Sequence, residues 1–537
     1  MTVRRYRALG ALLVVGLMAG SGCAWVSRVS GDSPGRNPEP APGSYGPVVS
    51  ADGRYVAFTS VDPDLVPGDT NDVSDAFIRD VVTGVLERAS LGAVGEQGAL
   101  DSTVTDISAD GRYVLFQSAS PNFVAGDTNE TADVFVRDRE AATTVRASIA
   151  GTGVEGNDAS GPSRISGDGH RIVYRSIATN LVPGDTNGAA DIFVRYLETA
   201  TTERVSVDSS EQQASGSPRG SSAPAIARDG GSVAFVSEMT NLVAGDTNAI
   251  SDIFVRDLQV GTTARVSVDS GESQASGPAG NAQPALSDGG RFVTFASNAP
   301  NLVPSDTNGQ HGQLGIDVFV RDRQLGTTER VSVDSNEGQG STSRFSVIFP
   351  SPTVSADGRY VAFSTDMVNL VAGDTNDVED VFVRDRATGT TSRASAGPFG
   401  QQGDDRSNDA EITRDGRYVV FASLADTFAA PGVPSYGVYM RPNPLPVVTG
   451  ASPVMAARGT STTITVTGTS FLPGVTASFG DGITLTAVDH TDESTVRFTI
   501  TVAPGAAPGA RAVLVRLPGA AAGPQTGAAG GFTLTIA

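Results

Sequence analysis

The 537-residue sequence predicts an all-β protein built by repetition of one four-stranded unit, and three observations predict it. The first is a recurring acidic segment. "LVPGDTNDVSDAFIRD" at 65–80 returns as "FVAGDTNETADVFVRD" at 123–138, "LVPGDTNGAADIFVRY" at 181–196, "LVAGDTNAISDIFVRD" at 242–257 and "LVAGDTNDVEDVFVRD" at 370–385, and once more, stretched by an insertion, at 302–322. The second is the period. The apolar residue after each "DG" turn falls at Val56, Val114, Ile172, Val233, Val293, Val361 and Val419, in steps of 58, 58, 61, 60, 68 and 58 residues. Seven copies at a near-constant period mark a repeat architecture. The third is composition: Gly, Ser, Thr, Val and Asp abound, which suits strands and tight turns rather than helices.

In chain order, residues 1–22 read as an export signal. "MTVRRYR" is basic and "ALGALLVVGLMAG" is apolar but too short to remain as a spanning helix. Cys23, the sole cysteine, follows directly, and "GSGC" resembles a bacterial lipobox, with Gly20 standing where that motif has Leu. The resemblance implies acylation of Cys23 and a lipid anchor in the cell membrane or at the cell surface; the alternative is ordinary signal cleavage and secretion. Residues 23–44 form a closing strand and linker.

The first unit then shows its four strands: "GPVVS" (46–50), a tight turn at Asp52–Gly53, "RYVAFTS" (54–60), the "GDTN" loop, "DAFIRD" (75–80), a "VTG" turn and "VLERAS" (85–90). The second strands repeat Phe58, Phe116, Tyr174, Phe235, Phe295, Phe363 and Phe421, and the third strands repeat Phe77, Phe135, Phe193, Phe254, Phe319, Phe382 and Tyr439. Four-stranded sheets that are apolar on both faces stack radially, so residues 45–442 predict a seven-bladed β-propeller. The seventh unit runs into "NPLPVVTG" without a fourth strand, while "AWVSRVSGD" at 24–32 looks like the fourth strand "TTERVSVDS" at 201–209. Residues 24–31 are therefore expected to complete the last sheet and remove its open edge. "SADGRYVAF" (50–58, 355–363) followed by "DVFVRD" and "TTERVS" resembles the TolB-type, WD-like propeller repeat, with Ala in the Pro position of its turn. That resemblance implies the fold and leaves function open. Residues 443–537 change pattern. Their "SPVMAARGTSTTITVTGTSF" resembles the IPT/TIG family, which implies an immunoglobulin-like sandwich used as a spacer or interaction module.

The net charge of −21 argues against binding nucleic acid or an anionic membrane face. Each "GDTN" loop spaces two carboxylates around an amide: Asp69, Asn71, Asp75; Asp127, Asn129, Asp133; Asp185, Asn187, Asp191; Asp246, Asn248, Asp252; Asp374, Asn376, Asp380. Calcium loops open in this way. The other explanation is turn chemistry plus ion pairing with the arginine repeated on every third strand, namely Arg79, Arg137, Arg195, Arg256, Arg321, Arg384 and Arg441. In the fifth unit Asn308 and Asp317 stand nine apart and break the spacing.

His170, His311 and His490 show no metal-ligand spacing, and no Gly-x-Ser-x-Gly elbow is present. No cofactor is required, and calcium is the one candidate ion. The sequence thus points to a non-catalytic binding or scaffold module for an extracytoplasmic protein or glycan, presented on the end that bears the long loops, with "GQHGQLG" (309–315) the most individual of them. The alternatives are a carboxylate-dependent hydrolase or lyase and a calcium-stabilised surface protein.

Overall fold

The computed structural model describes residues 27–31, 43–277, 280–308, 315–342, 350–397, 401–428, 436–443, 447–469, 471, 475–492, 494–516 and 528–537. Cys23 and residues 24–26, and the insertion residues 309–314 with His311, lie outside them. The described chain is all-β. Seven four-stranded antiparallel sheets occupy residues 27–442 and two more four-stranded sheets follow.

Units 1 to 6 (44–88, 102–146, 160–204, 221–265, 281–330 and 353–393) are each a meander in chain order. The turn chemistry sets the first hairpin. Asp52 Oδ1 accepts from the amide of Arg54 at 2.9 Å and from Ser50 Oγ at 2.8 Å, and Gly53 adopts φ +77°. The two central strands are buried on both faces, and their aromatic residues stack in register. The Phe58 and Phe77 ring centroids are 6.1 Å apart, those of Phe116 and Phe135 5.5 Å, and those of Phe421 and Tyr439 6.0 Å.

Neighbouring units join through the same turns. A Cβ on Gly53 would come within 2.8 Å of the Tyr418 ring, so this position demands glycine for both its backbone angle and its close contact with the seventh unit. The first strands touch one another in sequence from unit 1 to unit 7, and that of unit 7 touches that of unit 1 again. A belt of main-chain bonds follows the cycle. Ala51 donates to Ala109 O (2.9 Å), Ala109 to Gly167 O (2.9 Å), Gly167 to Arg228 O (2.7 Å), Asp288 to Ala356 O (3.2 Å) and Ala356 to Arg414 O (2.8 Å).

Unit 7 (407–442) supplies three strands of its sheet. The fourth is Ser27–Arg28, antiparallel to the third, with Arg28 opposite Tyr439 as Arg88 is opposite Phe77. The amide of Val29 donates to Val438 O at 2.7 Å, and the Val29 side chain, 3% exposed, packs with Val420, Val438, Met440 and Phe77. The two ends of the repeat region therefore meet in one sheet.

Beyond 446, Val447–Ser452, Ser461–Thr469, Thr495–Val502 and Ile483–Asp492 form one sheet; Met455–Ala456, Ala528–Ile536, Gly509–Arg516 and Thr476–Ser478 form the other. They share one core containing Ile464, Val466, Phe471, Phe498, Val513 and Leu534. No helix among the described residues is long and apolar enough to cross a membrane.

Candidate functional site

The acidic loops are the repeated polar element of the units. In unit 1, Asp75 is fully buried. Its Oδ1 accepts from Ser90 Oγ at 2.6 Å and its Oδ2 from Asn71 Nδ2 at 3.1 Å. Arg88, on the fourth strand, lies 3.0 Å from Asp69 and 3.5 Å from Asp75. The same clamp recurs. Arg146 holds Asp127 and Asp133, Arg204 holds Asp185 and Asp191, Arg265 holds Asp246 and Asp252, Arg330 holds Asp306 and Asp317, and Arg393 holds Asp374 and Asp380, at 3.1–3.7 Å. Asn129, Asn187, Asn248 and Asn376 repeat the part of Asn71. So does Asn308, which reaches Asp317 at 2.9 Å across the insertion that breaks the sequence spacing.

Each asparagine gives its nitrogen to the carboxylate and to a main-chain carbonyl 27 or 32 residues on, such as Gly98 or Gly340. In unit 2 the Asn129 oxygen accepts from the amide of Thr131. Two acceptors around the nitrogen and a donor at the oxygen fix that amide's orientation. Calcium calls for about six to eight oxygens around one point. Here a guanidinium stands between the two carboxylates and the asparagine turns its nitrogen toward them, so the donor set does not fit calcium. Burial, partly offset by the arginine, pushes the carboxyls of Asp127, Asp185 and Asp246 upward, and that of Asp317 up to about 7.

The carboxylates thus pair with fourth-strand arginines rather than with the third-strand ones the sequence offered. The reason is reach. Arg79 lies four residues along the same strand from Asp75, about 13 Å at strand rise, whereas Arg88 is opposite Phe77, two positions away. The third-strand arginines instead join units. Arg137 donates to Gly92 O and Arg195 to Ala150 O of the preceding unit. Arg256, Arg321 and Arg384 donate to Asp208 O, Asp269 O and Asp334 O and also pair with Glu211, Glu272 and Glu337. Arg79 donates to Val29 O at 3.2 Å, across the junction of the chain's ends. Arg441 donates to Arg393 O and Ala394 O, and burial pushes its pKa down to about 10.

The residues that do not repeat converge elsewhere. The first strands line an axial channel with a cavity volume of about 290 Å³. At the penultimate position of those strands the units carry Val48, Asp106, Arg164, Ala225, Ala285, Thr353 and Glu411; at the belt they carry Ala51, Ala109, Gly167, Arg228, Asp288, Ala356 and Arg414. Six ionisable side chains therefore sit where a scaffold needs only small residues.

Asp106 accepts from the amides of Ile107 (2.8 Å) and Ile165 (3.0 Å) and pairs with Arg228 at 3.6 Å. Arg414 pairs with Asp288. Arg164 donates to Thr105 O at 2.9 Å and Ser163 O at 3.2 Å. Nearer the loop end, first-strand bulges place Gln283 and Asp409 in the wall with φ of +53° and +52°. Asp409 is exposed to the cavity but walled by protein, and that enclosure pushes its carboxyl upward. The Glu411 carboxyl is pushed up to about 7 by burial, with Arg164 pulling it down and Asp106 pushing it up. Glu379 is also pushed up to about 7, by burial and by Asp409.

Sequence reasoning missed this group because it followed what repeats. The signal lay in what does not: "TDIS", "SRIS", "AIARD", "ALSDG" and "EITR" at equivalent positions. His170 lies 3.9 Å from Glu198 on a turn, and His490 bonds to Phe471 O at 2.9 Å; neither faces the channel group.

No family model matches the sequence and no curated protein matches it. Among solved structures, the chain is similar to TolB from Acinetobacter baumannii, at 13% identity over 76% of this chain and 86% of that one, with a TM-score of 0.33. It is similar to the β-propeller domain of Cps50 (Swd1) from Myceliophteria thermophila, at 12% identity over 76% of this chain and 99% of that one, with a TM-score of 0.39. It is similar to the acylaminoacyl peptidase of Pyrococcus horikoshii, at 10% identity over 74% of this chain and 51% of that one, with a TM-score of 0.42. No functional conclusion follows from likenesses at this level.

Proposed function

We propose that the chain is an exported, seven-bladed propeller (45–442), closed by residues from 23–44 and followed by an IPT/TIG-like module at 443–537. It acts as a non-catalytic binding or scaffold module for a protein or glycan outside the cytoplasm. An anchor through Cys23 fits this reading. One observation carries it: the repeated acidic groups are engaged in matching internal clamps, which is the behaviour of a scaffold, while the same loops expose a residue that takes four identities across five units. That residue follows the clamp asparagine and is Asp72, Glu130, Gly188, Ala249 or Asp377, each with φ between +54° and +64°. A rigid frame holding variable tips is suited to recognition.

The test uses the purified chain to retain partners from envelope extract and a glycan array. Glu130→Arg combined with Asp377→Arg should abolish retention. Val260→Asp, on a turn at the other end of the units, should leave it intact. Equal loss from both, or from neither, overturns the proposal. The place of Glu411 in the channel wall beside Asp409 favours a second reading, general acid catalysis by a hydrolase or lyase, and the upward push of burial on its carboxyl suits that role. Turnover of a polysaccharide abolished by Glu411→Gln would establish that reading instead.

A further inference from the structure

The channel contains a matched pair of charges that do not meet. Of its three arginines, Arg228 is engaged by Asp106 and Arg414 by Asp288. Arg164 is held only by the carbonyls of Thr105 and Ser163, and no carboxylate lies within ion-pair distance of it among the described residues. Of the acids, Asp106 and Asp288 are accounted for by those pairs. Glu411 and Asp409 have no arginine within ion-pair distance among the described residues. Glu411 occupies the same level of the channel as Arg164 but belongs to unit 7, while Arg164 belongs to unit 3, three units away around the cycle of seven.

A cation and an acid thus look across the cavity at each other, close enough for Arg164 to lower the Glu411 carboxyl and too far apart to bond. Enclosure weakens screening, so each is a strong point of attachment for an opposite charge. The cavity, about 290 Å³, matches the low end of small-molecule pockets. The bulge that turns Asp409 inward at a left-handed backbone angle adds a second acid on the Glu411 side.

We propose that the axial channel binds a small zwitterion, its carboxylate on Arg164 and its ammonium on Glu411 and Asp409. This is independent of what the loop tips recognise. An ammonium is held best by ionised Glu411. Its carboxyl is faced by Asp106, Arg164, Arg228 and Asp409, so affinity rises between pH 6 and pH 8 as that carboxyl loses its proton.

Calorimetry on the full chain, with 4-aminobutyrate as probe and butyrate and butylammonium as half-ligands, tests the proposal. The zwitterion should bind at least about tenfold more tightly than either half, the return expected of one further charge-assisted contact. Arg164→Gln should weaken butyrate and spare butylammonium, and Glu411→Gln should do the reverse. If Glu411→Gln fails to fold, Asp409→Asn carries the same comparison. Half-ligands that bind as tightly as the zwitterion, no binding of the zwitterion at pH 8, or equal effects of both substitutions on both half-ligands overturn it.

Discussion

Replacing Arg265 by Leu removes the guanidinium from the clamp of unit 4 and leaves Asp246, 4% exposed at its side chain, and Asp252, 0% exposed, with no cation. Breaking a buried pair from one side costs about 3–5 kcal/mol, because the remaining charge stays in the interior. Melting entropy of about 2.1 cal/mol/K per residue over roughly 400 residues gives ~0.85 kcal/mol/K. The variant should therefore melt about 4–6 °C below the parent at pH 8.

The loss should shrink with acid. Both carboxyls are already raised by burial, and without the arginine they rise further, so as pH falls they take up protons sooner than free carboxyls do and the charge penalty shrinks. Asp252→Asn added to Arg265→Leu should recover most of the loss at pH 8. Differential scanning calorimetry at both pH values reads the effect. An equal loss at pH 5 and pH 8, with no recovery from Asp252→Asn, would show that the arginine matters for packing and not for charge.

Four further outcomes are expected. Deleting residues 27–31 removes the fourth strand of the last sheet and the Val29 contacts with Val438 and Arg79, and should lower the melting temperature by more than the clamp variant does; an unchanged melt refutes the closure. Excess chelator should leave the melt of the parent chain unchanged, because arginines stand where calcium would; a fall of several degrees overturns that assignment. Asp317, Glu379 and Glu411 are raised to about 7, chiefly by burial, so folding takes up protons there. Their contribution is full below their unfolded values near pH 4 and is lost as pH rises through about 7, so the urea midpoint should fall between pH 6 and pH 8. Asp80 behaves oppositely. Burial pushes its carboxyl up, but the hydrogen bonds from Arg54 and from the amides of Thr83 and Val82 outweigh it and hold it at about 2, so its contribution is present above about pH 4 and disappears as pH falls through 2; Arg54→Gln should lower stability at neutral pH and flatten the loss of stability between pH 4 and pH 2.

The repeat was legible because it rests on local chemistry. A "DG" turn, a paired aromatic and an alternating strand announce themselves within ten residues, and the missing fourth strand of the last unit could be found by comparing "AWVSRVSGD" with its counterparts. Partner choice was not legible. Whether Asp75 takes Arg79 or Arg88 depends on register between strands, which spacing along one strand does not contain. The apparent break at Asn308 and Asp317 also misled, because a count of residues between two groups is not a distance between them. The channel residues were hidden for a different reason. Asp106, Arg164 and Glu411 lie more than fifty residues apart from one another, and only the stacking of sheets puts them on one axis. A comparison of equivalent positions that looks for outliers rather than for agreement would have singled them out.

The Asn308–Asp317 bond carries a lesson about tolerance. In five units the two residues that seal the acidic loop are four apart; in the fifth unit they are nine apart, and the seal is the same. The seal therefore works like a clasp on a necklace, indifferent to what hangs below it. Foreign peptides grafted between 308 and 315 should be displayed without disturbing the strands on either side, which makes this loop a natural port for diversification, by evolution or by hand.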